Sequence, residues 1–304
     1  MPCFSIVVPT YERPESLRRL LSSLAALDYP CEDFEVIVIA DGEGQLLEDV
    51  LEPFREHLAL VFERVSHRGC GPARQAGVER ARGDYLVFTD DDCRPEKDWL
   101  RAFEARIAEA PGCAVGGRVR NGLPTNACSS ASQALMSYLY EVKNVDHDDA
   151  HFFTTNNVAL PRAALHEIGG VDPHWSISGG EDRDLWERWR ASGRRMVYAP
   201  DAVVHHEHAL TLRSLWRQHY HYGRGAYVFH SGSHAPGRRR IRFETPAFYL
   251  KLPLHAWRET SGGRAWHCAA LLMLTQVANT AGWLREFVRR AVNGRPDRGS
   301  LHAG

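Results

Sequence analysis

Lysine is nearly missing from this 304-residue chain: Lys97, Lys143 and Lys251 are the only three, and the other 34 basic residues are arginine. Such a bias follows from a GC-rich coding sequence, so arginine abundance by itself signals no nucleic-acid partner. No CxxC occurs among the seven scattered cysteines. That argues against a disulfide framework or a zinc site and for a reducing compartment, the cytoplasm. The N-terminus lacks a basic stretch followed by an apolar run, so no signal peptide is expected. Internal repeats, a P-loop and the GxGxxG fingerprint are also missing. Charge of one sign is not in excess either, since 37 Lys+Arg against 38 Asp+Glu leave a net of −1. Hydrophobic residues make up 44% and charged residues 25%. These values exclude collagen-like, coiled-coil and wholly disordered chains.

The neutral total conceals a split. Residues 211–304 carry fifteen Arg or Lys and four Asp or Glu, a net of +11, which leaves −12 on residues 1–210. An acidic body joined to a basic tail predicts two parts with different partners.

Hydrophobic periodicity fills in the body. Ser5–Pro9, Phe34–Ala40 and Tyr85–Thr89 are short apolar runs that read as buried strands, with a further strand at Leu60–Val65. Helices are expected at Pro14–Leu27, where five leucines share one face, and at about 46–57, Pro72–Arg82 and Pro95–Ala110. Strands alternating with helices imply βαβ units and an α/β fold, with a mainly parallel, Rossmann-like sheet flanked by helices. Sheets of this kind bind ligands at the carboxyl ends of their strands. Those ends are Thr10-Tyr11-Glu12, Asp41-Gly42 and Asp90-Asp91-Asp92. The pattern weakens over Gly116–Ala150, with a helix expected at Ser132–Lys143 and a mobile loop at Asp146–His151. A helix at Asp182–Ala191, a strand near Met196–Tyr198 and the segment Asp201–His208 follow. Past Leu210 the chain reads as helices separated by Gly/Pro/Arg-rich links such as Gly232–Arg242.

Several clusters can carry chemistry. Three aspartates packed at a strand end repel one another unless a cation neutralises them. Their hard oxygen ligands suit Mg²⁺ or Mn²⁺ shared with a diphosphate, although a capping cluster would read alike. Asp41 can accept from a nucleobase or ribose, and the Gly69–Arg74 turn can meet phosphate. Asp182 can serve as a general base with Glu181 orienting an acceptor; first-turn acids that compensate a helix dipole are the plainer alternative. In Val203–His208, alternation puts His206 and His208 on one face of an extended segment and His205 on the other. Arg217–Gly225 mixes aromatic, imidazole and guanidinium groups, which suits sugar stacking or a packed helix ending in glycine.

The order of these segments is more telling than any one of them. SIVVPTYERPESLRRLLSSL, VIVIADG, GPARQAG, DYLVFTDDDCRPEKDWL, NVALPRAALHEIGGVD and GGEDRDLWERWRASG succeed one another between Ser5 and Gly193. Over roughly residues 4–225 the chain resembles family 2 glycosyltransferases of the A-type fold. The resemblance implies inverting transfer from a nucleotide-diphosphate sugar, UDP-sugar foremost, with Mg²⁺ or Mn²⁺ as cofactor, to a glycan, lipid-linked or small-molecule hydroxyl. By position it implies a nucleotide-sugar site from Pro9, Thr10, Tyr11, Glu12, Asp41, Arg74, Asp90 and Asp91. Asp92 and a downstream histidine, His206 by spacing, would hold the metal. Asp182, with Glu181, would do the catalysis, and Asn157, Trp175 and Gly180 would lie on the acceptor or donor-sugar side. Catalysis is then expected in residues 1–210, with 1–115 the nucleotide-sugar half and 116–210 the acceptor half. The processive synthases of the family carry QxxRW; here Gln218 is followed by His221-Tyr222, which favours single additions. A nucleotidyltransferase of similar fold and a non-catalytic nucleotide-sugar binder are the alternatives.

In the extension, Ala265–Leu284 has no charged residue but contains six polar or glycine positions, among them Gln276 and Asn279. A helix packed on the body or lying at a membrane surface is expected rather than a span. Arg238, Arg239, Arg240, Arg242, Arg285, Arg289 and Arg290 suit anionic lipid or a lipid-linked diphosphate at the inner face of the cytoplasmic membrane.

Overall fold

The computed structural model describes residues 3–42, 47–173, 175, 179–232, 244–260 and 264–292. Eight strands form one mixed sheet. They are β1 (Phe4–Thr10), β2 (Phe34–Asp41), β3 (Ala59–Val65), β4 (Tyr85–Thr89), β5 (Cys93–Pro95), β6 (Ala114–Asn121), β7 (Asn157–Pro161) and β8 (Met196–His206). Their order is β3-β2-β1-β4-β7-β6-β8-β5. The first four are parallel, β7 runs antiparallel to both β4 and β6, and β6 and β8 are parallel again.

The apolar strands are buried because helices cover both faces. β1 and β2 are buried along their whole lengths. On one face lie α1 (Pro14–Ala25) and α4 (Trp99–Glu109); on the other lie α3 (Cys70–Arg80) and α7 (Glu181–Ala191). Pro14 opens α1, where its missing N–H costs nothing, and Leu17, Leu20, Leu21 and Leu24 form its buried stripe.

Several expected boundaries shift. The helix expected from 46 to 57 is only α2 (Glu48–Leu51) and a 3₁₀ turn at Glu52–Phe54, since Pro53 cannot donate to a continuing helix; position 46 lies outside the described residues. Helix α4 begins at Trp99, because Cys93–Pro95 pair with Val204–His206 instead. The weakly patterned region holds β6 and a longer helix, α5 (Ala127–Lys143), capped by the Asn126 side chain. Asp146–His151 is tied down: His147 O accepts from Tyr198 N and Met196 O accepts from Ala150 N, each at 2.8 Å. The division at 115/116 falls inside β6, so both halves share one sheet.

The extension comprises α8 (Leu212–Gly232), α9 (Pro246–Glu259) and α10 (Arg264–Val292). It packs through α5, whose Ala131, Leu135 and Tyr138 share a core with Phe248, Leu252, Cys268 and Leu272. Helix α8 runs straight through Gly223 rather than ending there. A Cβ on Gly223 would stand 1.9 Å from the Asn279 carbonyl oxygen, and one on Gly282 1.9 Å from that of Tyr220. Both positions need glycine for α8 and α10 to touch backbone to backbone. Among the described residues, no helix is long and apolar enough to cross a membrane. Arg238–Arg240 and Arg242, and the Gly232–Arg242 link beyond Gly232, lie outside them.

Candidate active site

Strands β2, β1 and β4 end side by side. Their carboxyl ends open into a cleft of about 1460 Å³ lined by Pro9, Thr10, Tyr11, Asp41, Arg74 and the aspartates of positions 90–92. The same cleft takes in Glu181, Asp182, His206 and His208. Segments far apart in sequence meet here because a parallel sheet gathers its strand ends on one edge.

Asp41 spends its carboxylate on the loop before α3. Arg68 N donates to Oδ1 at 2.8 Å, Gly69 N to Oδ2 at 2.9 Å, and His67 Nδ1 lies 3.0 Å from Oδ2. His67 in turn stacks on Tyr11 with ring centroids 4.3 Å apart. The half-exposed Tyr11 ring is therefore a fixed shelf on which a planar base can stack.

The aspartates are balanced by local cations. Arg74 donates to Asp90 at 2.6 Å. Thr10 donates to Asp91 at 2.7 Å, while Arg13 donates to Asp91 at 3.3 Å and to Asp92 at 2.8 Å. Burial and the neighbouring Asp92 push the Asp91 carboxyl up to about 7. Burial also works against the Asp92 charge, but His206 and Arg13 outweigh it and hold that carboxyl well below the usual range. His206 lies on β8 opposite Cys93, and its Nε2 stands 3.2 Å from Asp92 Oδ1. His205, on the other face, pairs with Glu96 at 2.9 Å. The register thus brings His206, with His208 behind it, to the aspartates.

The residues fit a divalent cation. Asp92 Oδ1 is buried and turned toward His206 Nε2 at 3.2 Å, and Asp92, Cys93 and His206 offer ligand atoms within 4.8 Å of one another. Burial raises the Cys93 thiol and sulfur is a soft ligand, so the useful set for a hard ion is the carboxylate, the imidazole and a diphosphate.

Glu181 and Asp182 open α7. Glu181 Oε2 accepts from Gly179 N at 2.7 Å and Gly180 N at 2.9 Å, and Oε1 accepts from the Cys70 thiol at 3.7 Å. Gly179 adopts φ +99°, a conformation that favours glycine, and this aims its amide at the carboxylate. Asp182 Oδ1 accepts from Thr155 Oγ1 at 2.8 Å. Burial and the adjacent Glu181 push the Asp182 carboxyl up to about 7, against the pull of Arg74 and Thr155. A carboxylate near neutrality is matched to proton abstraction at physiological pH.

Four expected residues stand elsewhere. Glu12, at φ 52°, turns the chain from β1 toward α1 and is exposed outside the cleft lining. Asn157 is fully buried: Trp99 Nε1 donates to its Oδ1 at 2.8 Å, and its Nδ2 donates to Arg118 O and Ala202 O, both at 2.9 Å. These bonds pin the irregular pairing of β6 with β8 between Gly117 and Arg118. Its amide is spent on the fold, and Asn156, one residue earlier, lines the cleft. Trp175 is buried against Gly180, where an added Cβ would meet its ring at 2.4 Å; neither lines the cleft. Residues the sequence did not single out include Arg13, His67 and Thr155. Arg13 had a local signal in its place between the strand end and Pro14, whereas Thr155 had none, because only the tertiary fold brings it to Asp182.

Comparison with known proteins bears on the family and the fold. The family model for glycosyl transferase family 2 matches residues 5–169. Glycosyltransferase AglE of Haloferax volcanii is 24% identical over 228 residues, which cover 74% of this chain and 73% of the relative. Validoxylamine A glucosyltransferase of Streptomyces hygroscopicus subsp. jinggangensis is 29% identical over 230 residues, 66% of this chain and 54% of that protein. Against this second relative the chain therefore spans about half the length. Among solved structures, the mannosyltransferase PcManGT from Pyrobaculum calidifontis, in complex with GDP-Man and Mn²⁺, aligns with a TM-score of 0.60 at 19% identity, over 96% of this chain and 80% of that one. S. aureus TarS 1-349 in complex with UDP aligns at 0.53 and 16% identity, over 96% and 92%. Identities this low speak for the fold, which is the A-type glycosyltransferase fold. With the family model covering more than half of its length, this chain belongs to glycosyl transferase family 2.

Proposed function

We propose that the chain transfers a hexose from a nucleotide-diphosphate sugar, UDP-sugar foremost, to an acceptor hydroxyl with inversion at the anomeric carbon. The observation that carries this reading is Asp182: a half-buried carboxylate, oriented by Thr155 and raised to about 7, in one cleft with the aspartates at the strand ends. Tyr11 would stack the base, Asp91 would meet the ribose, and Arg74 would meet the nucleotide. Asp92 and His206 would hold Mg²⁺ or Mn²⁺, which, when bound, offsets the charge that builds on the leaving diphosphate.

Asp182 takes the proton of the acceptor hydroxyl as that oxygen bonds to the anomeric carbon. The bond from carbon to the diphosphate oxygen breaks on the opposite face, and its electron pair leaves with the nucleoside diphosphate. The transition state resembles an oxocarbenium ion. Glu181, fixed by two amides, keeps α7 in register. The bound nucleotides named for the neighbouring structures support this reading.

The extension supports contact with an anionic bilayer: the end of α10 exposes Phe287 and Val288 beside Arg285 and Arg289. A thermal-shift screen of nucleotide sugars with and without Mn²⁺, followed by the anomeric configuration of the product, tests the main reading. Stabilisation by a UDP-sugar only with the metal, and an inverted product, are expected. A retained configuration would overturn the single displacement.

A further inference from the structure

The cleft continues past Asp182 into the extension. Met136 and Leu139 of α5, Phe229 of α8, and Met273, Val277 and Leu284 of α10 line this continuation. Met273, Val277 and Leu284 recur at a spacing of one and two turns, so they form one stripe along α10. A stripe of this kind is ordinarily buried in a core, yet Val277 is 57% and Leu284 49% exposed. The apolar wall is therefore finished on the protein side and open on the other.

Where the groove joins the polar cleft, Gln218 donates to the Tyr222 hydroxyl at 2.8 Å, while its own Oε1 is buried without a hydrogen-bond partner. Tyr222 packs against the Gly179 loop that holds Glu181. A buried oxygen lacking a partner is costly and calls for a hydroxyl or another O–H or N–H group from a ligand. One continuous channel thus runs from a general base, past an open hydrogen-bond acceptor, to an apolar groove. This order of environments matches an amphiphile.

We propose that the acceptor is an amphiphile: its hydroxyl-bearing head lies between Asp182 and Gln218, and a hydrocarbon carrier lies in the groove between α5, α8 and α10. This inference rests on Asp182 being the base and deepens that reading by naming the acceptor class. The carrier can be a lipid standing in a membrane or a free small amphiphile, and both share the same chemistry.

The test uses the full chain and a series of n-alkyl β-D-glucosides from methyl to octyl, each below its micelle concentration, with affinity read by calorimetry. Affinity is expected to rise by about fourfold per methylene until the groove is filled. Val277→Asp and, separately, Leu284→Asp are expected to flatten that rise; both positions are partly exposed, and thermal melts check that each variant is folded. UDP with Mn²⁺ is titrated alongside. A flat alkyl series together with normal UDP binding overturns the amphiphile and leaves the transferase reading standing, whereas absent UDP binding counts against that reading itself. Hexadecyl glucoside in phosphatidylcholine vesicles separates the sources. Capture by the vesicles assigns a membrane-borne carrier, and binding of octyl glucoside without capture assigns a free one. Either result supports the groove.

Discussion

Two acidic clusters line the cleft, and Asp92 of one and Asp182 of the other behave oppositely, while Asp91 rises to about 7 as Asp182 does. At the end of β4, Asp90, Asp91 and Asp92 are met by Arg74, Arg13 and His206. At the start of α7, Glu181 and Asp182 are met by two amides, a thiol and a hydroxyl. Burial disfavours charge at Asp92 and at Asp182 alike. Cations outweigh it at Asp92, which stays ionised, while no cation ion-pairs directly with Asp182 among the described residues, and its carboxyl rises to about 7. Arg74 stands between the clusters, paired with Asp90 and acting on Asp182 through space. Asp92, held ionised by His206 and Arg13, suits binding of a metal and diphosphate; Asp182, raised toward neutrality, suits proton transfer.

The largest effect should come from Asp182→Asn, which removes the base and keeps the shape. Turnover is expected to fall by about 10²–10⁴-fold with nucleotide-sugar affinity little changed; near-normal turnover of the purified variant would remove Asp182 from that role. Next come Asp92→Ala and His206→Ala, each expected to weaken Mn²⁺-dependent nucleotide binding by about tenfold or more. Equal titrations with and without Mn²⁺ in the wild type would show that this cluster does not hold a cation.

Smaller effects sharpen the contrast. Activity should rise with pH through about 7 as Asp182 loses its proton. Thr155 donates to the charged form and so lowers that value; Thr155→Val should therefore move the rising limb to higher pH, by about one unit. A limb that stays in place would mean that another group sets it. The smallest effect is on stability. With the folded pKa of Asp182 above its unfolded value, the folded chain binds the extra proton between about pH 4 and pH 7, so this group's contribution to stability declines as pH rises through that window. Asp182→Asn should then melt above the wild type by a margin that widens by about 3 °C between pH 5 and pH 8. A margin that stays the same at both values would show that charging this carboxylate in the fold is not costly.

Much of this was legible in the chain itself. Strands β1, β2 and β4 announce themselves as apolar runs because both of their faces are buried, and their polar ends mark the cleft. The triplet at 90–92 was legible because charge packed against a buried strand needs a reason. Strand β6 and the start of α5 were not, since β6 carries Gly116, Gly117, Arg118 and Arg120 in place of an apolar run. Asn157 misled for a related cause. Its place at the start of β7 suggests the cleft, but Gly117 and the irregular β6–β8 pairing draw its amide into the core.

The sequence by itself determined the layered α/β plan, the edge on which ligands gather and the acids that gather there, because periodicity and strand ends are local properties. It also held the split between an acidic body and a basic extension. Only the tertiary structure decided that His206 rather than His205 meets Asp92, that Arg13 bridges two aspartates and that Thr155 aims Asp182, since each depends on strand register or on segments far apart in the chain. The fate of the extension was decided there as well. Part of its apolar residues close a core against α5, while Gly223 and Gly282 let α8 and α10 meet at their backbones and leave an apolar stripe along the cleft.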